Sequence, residues 1–183
     1  MLMRAADSVL VIIDIQERLA AAMLPAARQA VVRNTGILMR AAASLGIPIL
    51  ATEQYPKGLG PTVAELSEAL PSGAQRVEKT YFSCAGAEAF LTALEASGRS
   101  QLILAGMEAH VCVLQSALEL RAAGREVIVV EDACCSRKRA NHANAIGRLR
   151  AAGVVVTNTE SVLFEWLRDS RHEHFKAISA LVR

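Results

Sequence analysis

The chain has 183 residues, 52% of them hydrophobic, enough for one sizeable core and consistent with a single domain over residues 1–183. Lysine and arginine number 20 against 18 acidic residues; a net charge of +2 lacks the basic surplus of a phosphate-tracking protein, so no nucleic acid is expected as a partner. The apolar run Val9 to Ile13 stops at Asp14, far short of the ~20 residues of a membrane span, and Met1 to Ala6 has no secretory signal pattern; a cytoplasmic location and no membrane partner are expected.

Taken in chain order, apolar runs alternate with longer helical stretches that end in glycine. The first run, VLVII, leads to Asp14. An alanine-rich helix over Ala26 to Leu45 closes at Gly46 before a second strand, Ile47 to Thr52. Prolines and glycines in QYPKGLGP, Gln54 to Pro61, predict an irregular loop at that strand's end, where α/β folds bind ligands. A short strand over Gln75 to Glu78 precedes Lys79, and Gly98 precedes a fourth strand over Gln101 to Ala105. Helices over Val111 to Ala123 and Ala140 to Ala152 close at Gly124 and Gly153, each followed by a strand, Val127 to Val130 and Val154 to Thr157.

The strand runs are continuous rather than alternating, as strands buried on both faces require. Six strands with right-handed crossovers predict an α/β fold, a doubly wound parallel sheet with helices on both faces and strand order 3-2-1-4-5-6. The stretch FEWLRDSRHEHFKAISALV near the C-terminus keeps apolar residues with no evident core to join, and with the apolar helices it predicts a homo-oligomer.

The nucleotide fingerprints GxGxxG and GxxxxGK[ST] are both absent. Strand ends instead carry Asp14, Glu53, Lys79 and the segment Gly106 to Cys112. A cysteine nucleophile needs a base, an oxyanion site and a group that balances charge. The expected strand order sets Asp14 and Cys112 side by side at the switch point, with Lys79 reaching across two strand spacings of ~4.8 Å. Cys112 near a helix start is expected to gain thiolate character. The other thiols, Cys84, Cys134 and Cys135, fit neither a disulfide framework nor a zinc site. His142 reads as solvated or capped, and His172 and His174, two apart, point away from each other on a helix. Tyr55, Tyr81 and Phe82 follow strand ends, where aromatic walls suit an apolar substrate.

Five segments, VIIDIQ around Asp14, TEQYPKGLGPTV from Thr52, EKTYFSC around Lys79, GMEAHVCVLQSA from Gly106 and DACCSRK from Asp132, together resemble the isochorismatase-like cysteine hydrolase superfamily. The likeness spans nearly the whole chain and is nearest to the isochorismatase domain-containing branch. It implies Asp14 as general base, Lys79 as the ionic partner and Cys112 as nucleophile, with an oxyanion hole from the backbone N–H groups of Glu108 and Cys112 and a cis peptide at Met107–Glu108. Gln16, Tyr55, Phe82 and His110 are the residues expected to meet the substrate.

Metal-binding nicotinamidases of that superfamily carry an aspartate and histidines after the second strand. Here Glu53, Gln54 and Tyr55 stand there, with no histidine before His110, so neither a metal nor another cofactor is expected. Isochorismatases proper have a small residue where this chain has Cys112, whose presence points to acyl chemistry. The resulting expectation is a hydrolase acting on a small-molecule amide or related acyl substrate, at a C–N bond, through a covalent thioester. The alternatives are vinyl ether hydrolysis with Asp14 as acid, and an oligomeric scaffold without turnover.

Overall fold

Every second residue of a strand faces the same side, and here both sides are apolar. In the computed structural model, which describes residues 1–183, the first strand β1 (Ser8–Ile13) sends Leu10 and Ile12 into one core and Val9, Val11 and Ile13 into another. The remaining elements follow as α1 (Glu17–Ala21), α2 (Pro25–Ser44), β2 (Ile49–Gln54), α3 (Pro56–Leu59), α4 (Ala64–Ser67), β3 (Gln75–Lys79), α5 (Glu88–Ser97) and β4 (Gln101–Met107). A five-residue π-type turn, Ala109–Val113, leads into α6 (Leu114–Ala122), then β5 (Glu126–Cys135), α7 (Arg139–Ala151), β6 (Val155–Thr157), α8 (Thr159–Leu167) and α9 (Phe175–Ser179).

The six strands form one parallel sheet in the order β3-β2-β1-β4-β5-β6, the expected doubly wound arrangement. Residues of α2 and α8 bury Leu38, Met39, Leu163 and Trp166 on one face, while α5, α6 and α7 bury Phe90, Leu94, Leu120 and Leu149 on the other. Gly46, Gly98, Gly124 and Gly153 all take the left-handed conformation at the helix ends where the sequence places them.

Several expectations need correction. QYPKGLGP is not wholly irregular: Pro56, with its fixed φ, starts the one-turn helix α3. Glu53 lies inside β2 rather than after it, and Lys79 is the last residue of β3, because β2 and β3 stay paired as far as Gln54 and Lys79. The fifth strand runs to Cys135, not Val130. Its pairing with β4 resumes beyond an irregularity, Leu104 opposite Val129 but Gly106 opposite Cys134, so the chain spends extra residues before rejoining the ladder.

The C-terminal stretch does find a core. Trp166, Leu167 and Ile178 are buried against the α2 face, the Trp166 indole N–H donates to Ser8 Oγ at 2.9 Å, and Phe164 packs edge-on against Phe175. Only Phe164 of its large apolar side chains is exposed, so this stretch no longer argues for an oligomer.

Candidate active site

The rim at the C-terminal ends of β1, β2, β3 and β4 gathers the polar residues. β1 ends where Asp14 turns left-handed, with φ of 52°, a conformation aspartate tolerates better than most side chains. Its amide donates to Thr52 O at 3.1 Å, and its carboxylate is fully buried. One oxygen, Oδ1, accepts from the Thr52 hydroxyl at 2.7 Å; the other, Oδ2, accepts from Lys79 Nζ at 2.6 Å. Lys79 therefore crosses β2 to reach the end of β1, as its length allows.

The Lys79 ammonium also donates toward Gln54 Oε1 at 2.9 Å and the carbonyls of Phe82 and Tyr81 at 3.1 and 3.2 Å. Four acceptors face three N–H bonds, so Lys79 acts here as a fixed positive charge. A buried pair of this kind persists only when its remaining hydrogen-bonding capacity is met, and here it is.

Cys112 stands beside this pair in the turn after β4 and is 4% exposed. Burial pushes its thiol well above the ordinary range, the Asp14 carboxylate pushes the same way, and Lys79 pulls it down. The helix-start argument for a ready thiolate is thus outweighed by desolvation, which favours the neutral thiol. Ahead of Cys112 the Met107–Glu108 peptide is cis, as the resemblance implies. The amides of Val111 and Val113 both donate to Glu108 O, at 3.0 and 3.3 Å, winding the chain tightly around Cys112.

The structure brings a second thiol, Cys84, to the same place. It is fully buried, its amide donates to Ser116 Oγ at 2.9 Å, and its sulfur lies 4.0 Å from Thr52 Oγ1. Burial first and Asp14 second raise its pKa to about 11, against the pull of Lys79.

The four expected substrate contacts divide into two pairs. Gln16 is buried with its amide committed to the chain: Nε2 donates to Gln54 O and Gly60 O, and Oε1 accepts from Gln54 N. His110 is likewise engaged, Nδ1 with Ser136 Oγ at 2.9 Å and Nε2 with the Asn141 side chain at 3.2 Å. Tyr55 and Phe82 instead present open faces, each more than half exposed. The Tyr55 and Tyr81 rings lie so close over Gly58 and Gly86 that a Cβ at either glycine would overlap them, and both rings line a cavity of about 610 Å³ with Lys57 and Glu88.

Two residues that the sequence reading passed over, Thr52 and Gln54, complete the hydrogen-bonding around Asp14 and Lys79. Their positions at i and i+2 on β2 are the only sequence signal, since alternate residues of a strand share a face. The remaining histidines differ from expectation: His142 Nε2 is buried without a partner rather than solvated or capped, and His172 and His174 lie in the turn before α9 rather than on a helix, so they do not point apart. His172 and His174 sit with ring centroids 5.6 Å apart, the His174 amide donating to His172 Nδ1. No three His, Cys, Asp or Glu side chains gather as a metal-binding set, and no helix is long and apolar enough to cross a membrane.

The chain and its parallel sheet match known proteins closely in sequence and in fold. The isochorismatase domain profile matches residues 8–161, and the chain belongs to the isochorismatase family of hydrolases. It is 37% identical over 180 residues to mouse isochorismatase domain-containing protein 2A, covering 97% of this chain and 83% of that protein. It is 40% identical over 147 residues to isochorismatase domain-containing protein 1 of Salmo salar, covering 80% of this chain but 51% of that longer protein.

Among solved structures, the one described as MAR1 ribonuclease from Caenorhabditis elegans superposes with a TM-score of 0.93 at 34% identity, covering 100% of this chain and 92% of that one. YcaC of Escherichia coli, described as an octameric hydrolase of unknown specificity, gives 0.89 at 26% identity, covering 99% and 89%. YcaC of Pseudomonas aeruginosa, described with hexane-2,5-diol and covalent acrylamide, gives 0.87 at 28%, covering 98% and 91%.

Proposed function

We propose that this chain is a metal-independent cysteine hydrolase that cleaves a small amide or related acyl compound through a covalent thioester. The observation that carries the reading is the buried Asp14–Lys79 pair beside the buried thiol of Cys112. Asp14 takes the Cys112 proton as the sulfur attacks the substrate carbonyl, and the backbone N–H groups of Glu108 and Cys112 receive the developing oxyanion. Collapse breaks the C–N bond, and Asp14 returns the proton to the leaving amine. Water then attacks the thioester, Asp14 accepting its proton; as the C–S bond breaks, Asp14 passes that proton to the departing sulfur, so the acid leaves and both Cys112 and Asp14 are restored. Lys79 holds a positive charge against Asp14 throughout.

Tyr55 and Phe82 supply apolar contact to the substrate, while Gln16 and His110 hold the walls in place. The covalent acrylamide described for P. aeruginosa YcaC supports an electrophile-accepting nucleophile on this fold. The octamer described for E. coli YcaC supports a homo-oligomeric state here. A net charge of +2 argues against a nucleic acid substrate despite the ribonuclease description of one relative.

The test is a panel of small amides scored by ammonia release, with Cys112→Ala as the control. Turnover that disappears in the variant supports thiol catalysis; wild-type turnover by Cys112→Ala removes it. Light scattering that returns 19.5 kDa at micromolar concentration removes the oligomer.

A further inference from the structure

Thr52 holds Asp14 at two points. Its carbonyl accepts the Asp14 amide at 3.1 Å and its hydroxyl lies 2.7 Å from Asp14 Oδ1. A carboxylate only accepts, so the hydroxyl donates and its hydrogen is committed to Asp14. Its oxygen is left to accept, and the sulfur of Cys84 sits 4.0 Å from it, with a thiol pKa of about 11 that keeps the S–H in place as a donor at neutral pH. Neither group has another role on the page: Thr52 is 1% exposed, Cys84 is fully buried, and neither is needed for the proton transfers described above. Oδ2 is taken by Lys79 and Oδ1 by Thr52, so the two donors together set the plane of the carboxylate that faces Cys112.

We propose that Thr52 is a positioning residue for the base, orienting the Asp14 carboxylate through its hydroxyl, with the Cys84 thiol fixing the direction in which that hydroxyl points. This deepens the reading of Asp14 as the base that deprotonates Cys112 and rests on it. The titratable and charged groups around Asp14 are Lys79 from β3, Cys84 from the turn after β3 and Cys112 from the turn after β4. Loss of the Thr52 hydrogen bond disfavours the charged carboxylate, so the pair it forms with Cys112 becomes active only at higher pH.

Thr52→Val is nearly isosteric and keeps β-branching at a central strand, so it removes the hydroxyl and little else. The probe is iodoacetamide, with the rate of labelling at Cys112 read by peptide mass spectrometry from about pH 5 to about pH 9. Thr52→Val lowers the plateau rate by roughly ten- to a hundredfold, the worth of one charge-assisted hydrogen bond, and moves the acid limb up by roughly one pH unit. Thr52→Ser restores both to within about threefold. A merely structural role would leave the acid limb where it is in wild type.

Thr52→Ala takes the place of the valine variant if that variant does not fold. Wild-type labelling by Asp14→Asn overturns the base reading and the Thr52 assignment with it. Slow labelling by Asp14→Asn, together with an unchanged plateau and unchanged limb in Thr52→Val, overturns the Thr52 assignment alone.

Discussion

Two stretches of the same sheet rim carry buried cysteines, and they differ in what surrounds the sulfur. At the β1/β4 switch point, Cys112 and Cys84 feel Asp14, and both also feel the opposing pull of Lys79. At the end of β5, Cys134 and Cys135 are equally buried, but the charges acting on them, Asp132 and Glu131 for the one and Glu108 for the other, all push their thiols further up. An amide of Gly106 beside Cys134 is the only group there that eases the thiolate. The fold treats all four thiols alike by burying them; among the charged side chains acting on them, Lys79 alone pulls toward the thiolate, and it acts on Cys112 and Cys84. Burial alone makes a cysteine a small hydrophobe, and a cation within a sealed hydrogen-bonded frame changes what it can do.

The sharpest way to break this comparison is selective alkylation. A limiting electrophile should modify Cys112 faster than Cys134 or Cys135 by on the order of a hundredfold, with Cys84 next, as read by peptide mapping. Equal labelling at Cys134 would erase the distinction.

Removing the lysine comes next in size. Lys79→Met leaves the Asp14 carboxylate buried without its ionic partner and should cost about 3–5 kcal/mol in urea unfolding, with part of that recovered in the double variant Lys79→Met/Asp14→Asn. A loss below about 1 kcal/mol would show that Lys79 is dispensable to the frame.

The raised thiols themselves predict alkaline sensitivity on both sides of the comparison. A folded thiol whose pKa is about 11 for Cys84 or about 12 for Cys135 keeps its proton where the unfolded one, near 9, has lost it. The folded state then binds more protons, so stability is full below pH ~9 and falls as pH rises toward each folded value. Each such thiol contributes a slope of about 1.4 kcal/mol per pH unit in that window. Urea titrations of wild type against Cys84→Ala and Cys135→Ala should show a shallower slope in each variant, and unchanged slopes would contradict the assigned burial effect.

The smallest effect belongs to the exposed counterpart of the buried pair. Arg150 of α7 and Glu131, midway along β5, lie 2.6 Å apart and keep 57% and 38% of their side-chain surface in solvent. Glu131→Gln should change stability by less than about 1 kcal/mol.

The sheet order was legible from the sequence because continuous apolar runs and helix-ending glycines are local signals, and once the order is known Asp14 and Cys112 must be neighbours. Lys79 was legible only as a residue able to reach, since its pairing with Asp14 across β2 depends on the twist and register of three strands. Thr52 and Gln54 left no mark beyond their spacing: a threonine and a glutamine in a strand look alike whether they brace a carboxylate or face solvent. The inward fold of the C-terminal stretch was illegible for a related reason, because the groove on the α2 face that receives Trp166 is made by residues far away in the chain.

The close approach of β1 and β4 at Gly106 has a consequence for how this rim can vary. With φ of 144°, Gly106 presses against the backbone of Ile13, the residue before Asp14, and a Cβ there would come within 2.8 Å of the Ile13 N and carbonyl carbon. Any side chain at 106 would wedge the two strands apart and carry Asp14 and Cys112 with them. The gap between the Asp14 carboxylate and the Cys112 sulfur is therefore gauged by a single hydrogen atom, and a mutational library of this rim has to hold that one position constant.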